Sequence, residues 1–256
     1  MRQIQASIVL QLRLSAASPD SYLICVTTPL LTTFIVLAGR WSGHQTPFAD
    51  AVVAPTLMAL WTLALSVAGN AITDDRLIGT LEAQLGAPAS LAVTLFGRMC
   101  SVVLIGLVAF AEAWVAAGLL SGTSVPRIPH PVMLTCCLIT SGLAAAGTAT
   151  LLSPLYVLIP SARILQNTLS YPIYLLSGLA VPQSLFPEWL RIVTHLSFLT
   201  WSAQLMRASL VPAAIPSAPW TLMAIAVLGT AGFFVGTVLM RRMIERACRE
   251  GTVVLT

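Results

Sequence analysis

The chain has 256 residues, of which 57% are hydrophobic and 9% are charged, and its formal net charge at pH 7 is +4. A typical soluble domain is about 25% charged, so this chain has too few charged residues to cover itself with a solvated surface. All thirteen basic residues are arginine, and their scattered positions argue against a nucleic-acid partner. A phosphate-binding loop of the G-x-x-x-x-G-K-[ST] type needs lysine, so any ATP-driven work must be powered by another polypeptide.

Long uncharged segments predict an all-α integral membrane protein with six transmembrane helices in a single permease domain, residues 1–256. A bilayer core of about 30 Å needs about 20 apolar residues at a rise of about 1.5 Å each. The predicted spans cover residues 22–38, 51–72, 90–120, the stretch after the turn at 121–131 up to 159, 164–180 and 220–240.

Residues 1–16 precede the first span and predict an interfacial helix. Ile4, Ile8 and Leu12 recur at helical spacing, and the arginines and glutamines fall largely on other faces. A helix of this kind lies in the membrane interface with its apolar face towards the lipid. The alternative is a frayed polar terminus.

The most charged segment beside the membrane follows the second span, at residues 74–85. Leu77, Leu81 and Leu85 form an apolar stripe at i+4 spacing, and the acids in the first turn suit the helix dipole. A short amphipathic helix parallel to the membrane is a natural docking surface for a cytoplasmic partner. The alternative is a solvated loop whose charges only fix the topology.

Three residues within the spans are candidates for a special role. Glu112 follows Arg98 by fourteen residues, or about 21 Å of helix, which places it in the outer half of the membrane. An acid at such a depth is a candidate for the substrate path, although it can also bond to a neighbouring span while protonated. Gly142 and Gly147 predict close helix packing in the fourth span.

Prolines interrupt the apolar stretch between the fifth and sixth spans. Two short helices fit there, at about residues 185–195 and 200–210. Neither is long enough to cross a bilayer. Both are therefore predicted to be external, dipping into the outer leaflet or lying on it.

The distribution of arginines predicts the orientation. With a cytoplasmic N-terminus and six spans, nine arginines fall inside and four outside. Cytoplasmic loops carry the excess of positive charge, so both termini are predicted to be cytoplasmic. The four arginines outside are Arg40, Arg127, Arg191 and Arg207.

Two segments resemble a known family when they are taken together. Residues 74–82, D-D-R-L-I-G-T-L-E, followed by G-A-P at 86–88, are similar to a segment of the permeases of ATP-binding-cassette transporters of the second type (ABC-2). Residues 176–191, with Ser177-Gly178 and a P-E-W-L-R turn, followed by Arg207, are similar to the late element of that family. Ser197-Phe198 replaces the family's usual Asn-Pro.

The resemblance implies a coupling helix after the second span and a separate ATPase subunit in two copies, with ATP and Mg²⁺ on that partner and no cofactor in this chain. It also implies a second permease copy, identical or different, in a bacterial inner membrane. The residues that the resemblance assigns to ATPase coupling are Asp74, Asp75, Arg76, Leu77, Gly79, Thr80, Leu81 and Glu82.

The expected function is the export of an apolar or amphipathic substrate, such as a drug, a natural product or a lipid-like molecule. One alternative is a polysaccharide exporter of the same architecture, and another is a secondary transporter or membrane assembly factor without an ATPase. The sequence offers no pattern for a catalytic residue or a metal site, and the five cysteines are predicted to be ordinary packing residues.

Overall fold

Apolar helices dominate the computed structural model, which describes residues 13, 19–41, 47–77, 91–121, 128–158, 162–179 and 186–249. These ranges contain eight helices and no strand, which confirms the all-α class. In chain order the helices are α1 Pro19–Trp41, α2 Phe48–Leu77, α3 Leu91–Ser121, α4 Pro131–Leu158, α5 Ala162–Leu176, α6 Glu188–Thr194, α7 Phe198–Ser209 and α8 Ala218–Arg249.

Four of the six predicted spans are confirmed as helices that are long and apolar enough to cross a membrane. Their apolar stretches are Phe48–Gly69 in α2, Ser101–Leu120 in α3, Pro131–Tyr156 in α4 and Ala218–Met240 in α8. The apolar part of α1 is shorter, Cys25–Trp41. Helix α5 has 15 residues, or about 22 Å at 1.5 Å per residue, which is less than the bilayer core. The full six-span layout therefore stays a prediction.

The helix ends differ from the predicted boundaries at two places. Helix α2 continues past residue 72 to Leu77, so residues 74–77, which were expected to begin a separate helix parallel to the membrane, extend α2 instead. Helix α5 stops at Leu176, four residues earlier than expected, and Gly178 then adopts a left-handed backbone with φ of 74°. Glycine carries no Cβ penalty in that conformation, so it is well suited to follow a helix end.

Helix α2 lies at the centre of the bundle. Within the described residues, it packs against α1, α3, α4, α5 and α7. Over its most apolar 18 residues 89% are buried, compared with 22% over those of α8. A helix that is apolar on all sides belongs inside a bundle. Helix α8, which packs on α4 and α7, leaves most of its surface for lipid.

Small residues bring α4 and α8 into backbone contact. A Cβ atom added at Gly147 would lie 2.0 Å from the carbonyl oxygen of Gly229, and one added at Gly142 would lie 2.8 Å from a Val103 methyl group on α3. The prediction of close packing at both glycines is confirmed. The absence of side chains lets these backbones approach each other, as is common between membrane helices.

The two short helices form where prolines interrupt the chain, as predicted, but they occupy different environments. Helix α7 is inserted between α2, α4 and α8, and the Ser141 hydroxyl donates a hydrogen bond of 2.7 Å to the Ser202 hydroxyl. Helix α6 instead exposes Trp189 and Ile192. Of the predicted N-terminal helix at 1–16, all but Arg13 lies outside the described residues.

Candidate coupling and transport site

The predicted coupling segment begins within α2. Asp74, Asp75, Arg76 and Leu77 belong to the last turn and a half of this helix, so their backbone is continuous with the most buried element of the bundle. A displacement of that end would therefore act on α2 directly. The other four predicted residues, Gly79, Thr80, Leu81 and Glu82, lie outside the described residues.

Glu112 lies at the seam between α1 and α3. Its carboxylate lies close to the side chain of Cys25 on α1. Within the described residues, the second carboxylate oxygen, Oε2, is buried without a hydrogen-bond partner. A buried polar atom without a partner loses the free energy of hydration, so this oxygen is available for a ligand proton or cation. The sequence identified Glu112, but nothing in its spacing indicated Cys25.

Polar contacts join α5 to α2, and these contacts define the α2–α5 seam. The Tyr174 hydroxyl donates to the carbonyl oxygen of Met58 at 3.0 Å and lies 2.6 Å from the Thr62 hydroxyl. Two turns earlier, the Gln166 side-chain amide donates to the carbonyl oxygen of Leu65 at 3.3 Å. This seam depends on individual hydrogen bonds as well as on apolar packing.

The opposite face of α5 is exposed and partly polar. Asn167, Thr168 and Tyr171 lie on this face, and the side chain of Tyr171 is 69% exposed. Together with Ile164, Pro172 and Leu175 they follow the i, i+3, i+4, i+7 spacing of one helix face. Polar side chains within a membrane are satisfied by contact with protein or with water rather than with lipid tails.

A charged cluster connects three elements at the end of the bundle where α5 stops. The Arg207 side chain on α7 donates through Nε to Asp50 Oδ1 at 2.6 Å. Its terminal nitrogen donates to the carbonyl oxygen of Gly178 at 3.2 Å. Asp50 lies in the first turn of α2. The resemblance drew attention to Gly178 and Arg207, whereas the role of Asp50 as their partner was missed.

The ABC-2 type transporter family model matches residues 2–211, a range that includes the coupling segment, Glu112, the α2–α5 seam and Arg207. The chain belongs to the ABC-2 type transporter family. No curated protein sequence matches this ABC-2 permease. The resemblance seen in the sequence is thereby confirmed.

Membership of this family determines the general role of the ABC-2 permease. The family supplies the membrane-spanning component of ABC transporters, which has no nucleotide-binding site of its own and works with an ATPase partner subunit. The permease is therefore a multi-pass membrane protein that takes part in transport. The second segment that resembles the family contains Gly178 and is followed by Arg207. These two residues are joined by a hydrogen bond, which gives a structural reason for their occurrence together.

Proposed function

We propose that this ABC-2 permease exports an apolar or amphipathic molecule, such as a drug, a natural product or a lipid-like compound, and so contributes to efflux and antibiotic resistance. The observation that supports export along this bundle is the exposed face of α5, which carries both polar and apolar side chains. An amphipathic molecule would find both kinds of contact there. The described residues contain no compact domain outside the helices that would bind a carbohydrate chain.

A second permease copy, identical or different, completes the substrate path in this proposal. The face of α5 that carries Asn167, Thr168 and Tyr171 has no covering element among the described residues. Asparagine and hydroxyl side chains both donate and accept hydrogen bonds, so the same face on a second copy would be complementary. Substrate would move between the two copies of α5.

The ATPase acts in two copies, each bound to residues 74–82 of one permease, and it carries the ATP and Mg²⁺. Because α2 is continuous as far as Leu77, movement of the ATPases would displace the central helix of each bundle. The chain would hold no cofactor itself. It would form a single domain over residues 1–256, in a bacterial inner membrane with both termini in the cytoplasm, as the distribution of arginines favours.

Glu112 would contact cationic substrates in this proposal. Its unpaired oxygen, Oε2, supports the assignment. Its position at the α1–α3 seam would give a binding point separate from the exposed face of α5.

The proposal is tested on permease purified from its native membrane in mild detergent and reconstituted into liposomes. We expect an ABC ATPase to copurify in equal amount, and ATP added outside to drive uptake of ethidium or of a fluorescent short-chain lipid into the vesicles. If no ATPase copurifies and a proton gradient drives uptake instead, the protein is a secondary transporter and the proposal is wrong.

A further inference from the structure

Arg207 connects one fixed element of the bundle to two others. Its own helix, α7, is held by contacts deep in the bundle, where Phe198 and Leu199 are buried and Ser202 bonds to Ser141. From that base the guanidinium group reaches the start of α2 at Asp50 and the end of α5 at Gly178. We call these three residues the Asp50–Arg207–Gly178 cluster.

The contacts of this cluster can break and form again at low cost. The side chains of Arg207 and Asp50 are 32% and 42% exposed, so water can replace each partner as the pair separates. Half-exposed ion pairs contribute little to net stability, because the charges are well hydrated when they are apart. The cluster therefore contributes little to permanent stability and is suited to act as a reversible contact.

Helix α5 is the element best suited to move when the cluster opens. Among the described helices it packs chiefly against α2, and few side-chain hydrogen bonds, those of Tyr174 and Gln166, hold that seam. Gly178 follows its end in a left-handed backbone and can absorb a change of direction. While Arg207 holds the Gly178 carbonyl, the end of α5 stays beside the start of α2.

We propose that the Asp50–Arg207–Gly178 cluster is an external latch that is closed in this structure and opens once in each transport cycle. Opening frees the end of α5 from α2, and Arg207 is a positioning residue that stays with α7. The direction of the cycle rests on the proposed function. The latch itself rests on the contacts described above.

The test compares two cysteine pairs in a permease whose native cysteines are replaced by serine. The latch pair is Ala49→Cys with Leu176→Cys, which joins the start of α2 to the end of α5 and keeps Asp50 and Arg207. The control pair is Ser141→Cys with Ser202→Cys, which joins α4 to α7. A short bifunctional thiol reagent is added to the permease–ATPase complex, first without nucleotide and then with ATP trapped on an inactive ATPase.

We expect the yield of the latch cross-link to fall with ATP while the control yield stays constant. A shift of the closed latch from about 90% to about 10% of molecules would lower the yield about ninefold. Equal yields in the two states, in a complex that retains its ATPase, would overturn the latch and leave the proposed function intact.

A second measurement needs no ATPase and uses a conservative substitution in the latch. The Ser177 side chain is fully buried beside Gly178, so we expect Ser177→Cys to react slowly with a membrane-impermeant maleimide. Adding Asp50→Asn, which keeps the size of the side chain and removes its charge, should accelerate that reaction several-fold at an unchanged yield of folded protein. An unchanged rate would contradict the latch even if no ATPase copurifies.

Discussion

The contact between α4 and α8 permits a quantitative prediction for the substitution Gly147→Ala. The new Cβ would lie 2.0 Å from the Gly229 carbonyl oxygen, whereas an ordinary carbon–oxygen contact is about 3.4 Å. Both partners are backbone atoms in helices, so the helices must separate by about 1.4 Å at this point. Even a gap of about 0.5–1 Å forfeits a quarter to a half of the dispersion energy of the atoms that part.

The expected change in the free energy of unfolding is the sum of two opposing effects. Overpacking at a backbone contact costs about 3 kcal/mol, and alanine in place of glycine returns about 1 kcal/mol of helix propensity. The net loss of about 2 kcal/mol corresponds to a midpoint of thermal unfolding that is roughly 4–8 °C lower for a chain of this size. The midpoint is measured by the surviving monodisperse peak in size-exclusion chromatography after heating in detergent.

Gly232→Ala is the matched control because it probes the same helix pair. Its Cβ would lie 3.2 Å from the nearest atom, the Gly147 carbonyl oxygen, so only a few tenths of an ångström must be absorbed. The free-energy cost of crowding and the gain in helix propensity should then nearly cancel, so the midpoint of unfolding should stay close to that of the parent protein. If Gly147→Ala unfolds at the same temperature as Gly232→Ala, the close contact between α4 and α8 is wrong.

Three further predictions address the seam, the intramembrane acid and the orientation. Tyr174→Phe should lower the free energy of unfolding by about 1 kcal/mol because it removes the hydroxyl that binds α2, whereas Tyr171→Phe on the exposed face should leave it unchanged in the same thermal assay. Glu112→Gln should reduce ATP-driven uptake of ethidium and spare a neutral lipid dye, and an equal loss of both together with a low yield would assign it to packing. Gln45→Cys, on a background without native cysteines, should react with an impermeant maleimide from outside, and reaction from the cytoplasmic side alone would reverse the topology.

Much of the fold is predictable because the bilayer imposes one strong rule on the sequence. Long uncharged stretches must be helices, and α2, α3, α4 and α8 appear where hydropathy places them. Prolines at 187 and 212 flank the two short helices, which explains why α6 and α7 were expected close to their observed positions, whereas other prolines, such as Pro55 in α2, lie inside helices. The early end of α5 is harder to foresee, because the apolar stretch continues past Gly178 and only the left-handed backbone interrupts it.

The contacts of the candidate sites are less predictable, because they join residues far apart in the chain. Arg207 and Asp50 are separated by 157 positions, and no local spacing records that their helices meet. Cys25 was expected to be an ordinary packing residue, yet it lies beside Glu112 because α1 and α3 pack together. The short length of α7 predicted that it could not cross the membrane, but its burial between three longer helices depends on their arrangement.

The central claim is that a separate ATPase drives this permease through residues 74–82. The most direct measurement is the amount of ATPase that copurifies with Gly79→Trp and with Glu82→Arg, compared with the parent protein and with Arg242→Glu, a control charge reversal at the far end of α8. The first variant places a bulky side chain where a partner must approach closely, and the second introduces a like charge wherever the partner offers a basic group. The account predicts that both variants insert normally and lose the ATPase, while Arg242→Glu retains it. Normal copurification and normal transport in either coupling variant would show that the segment is only a topological loop.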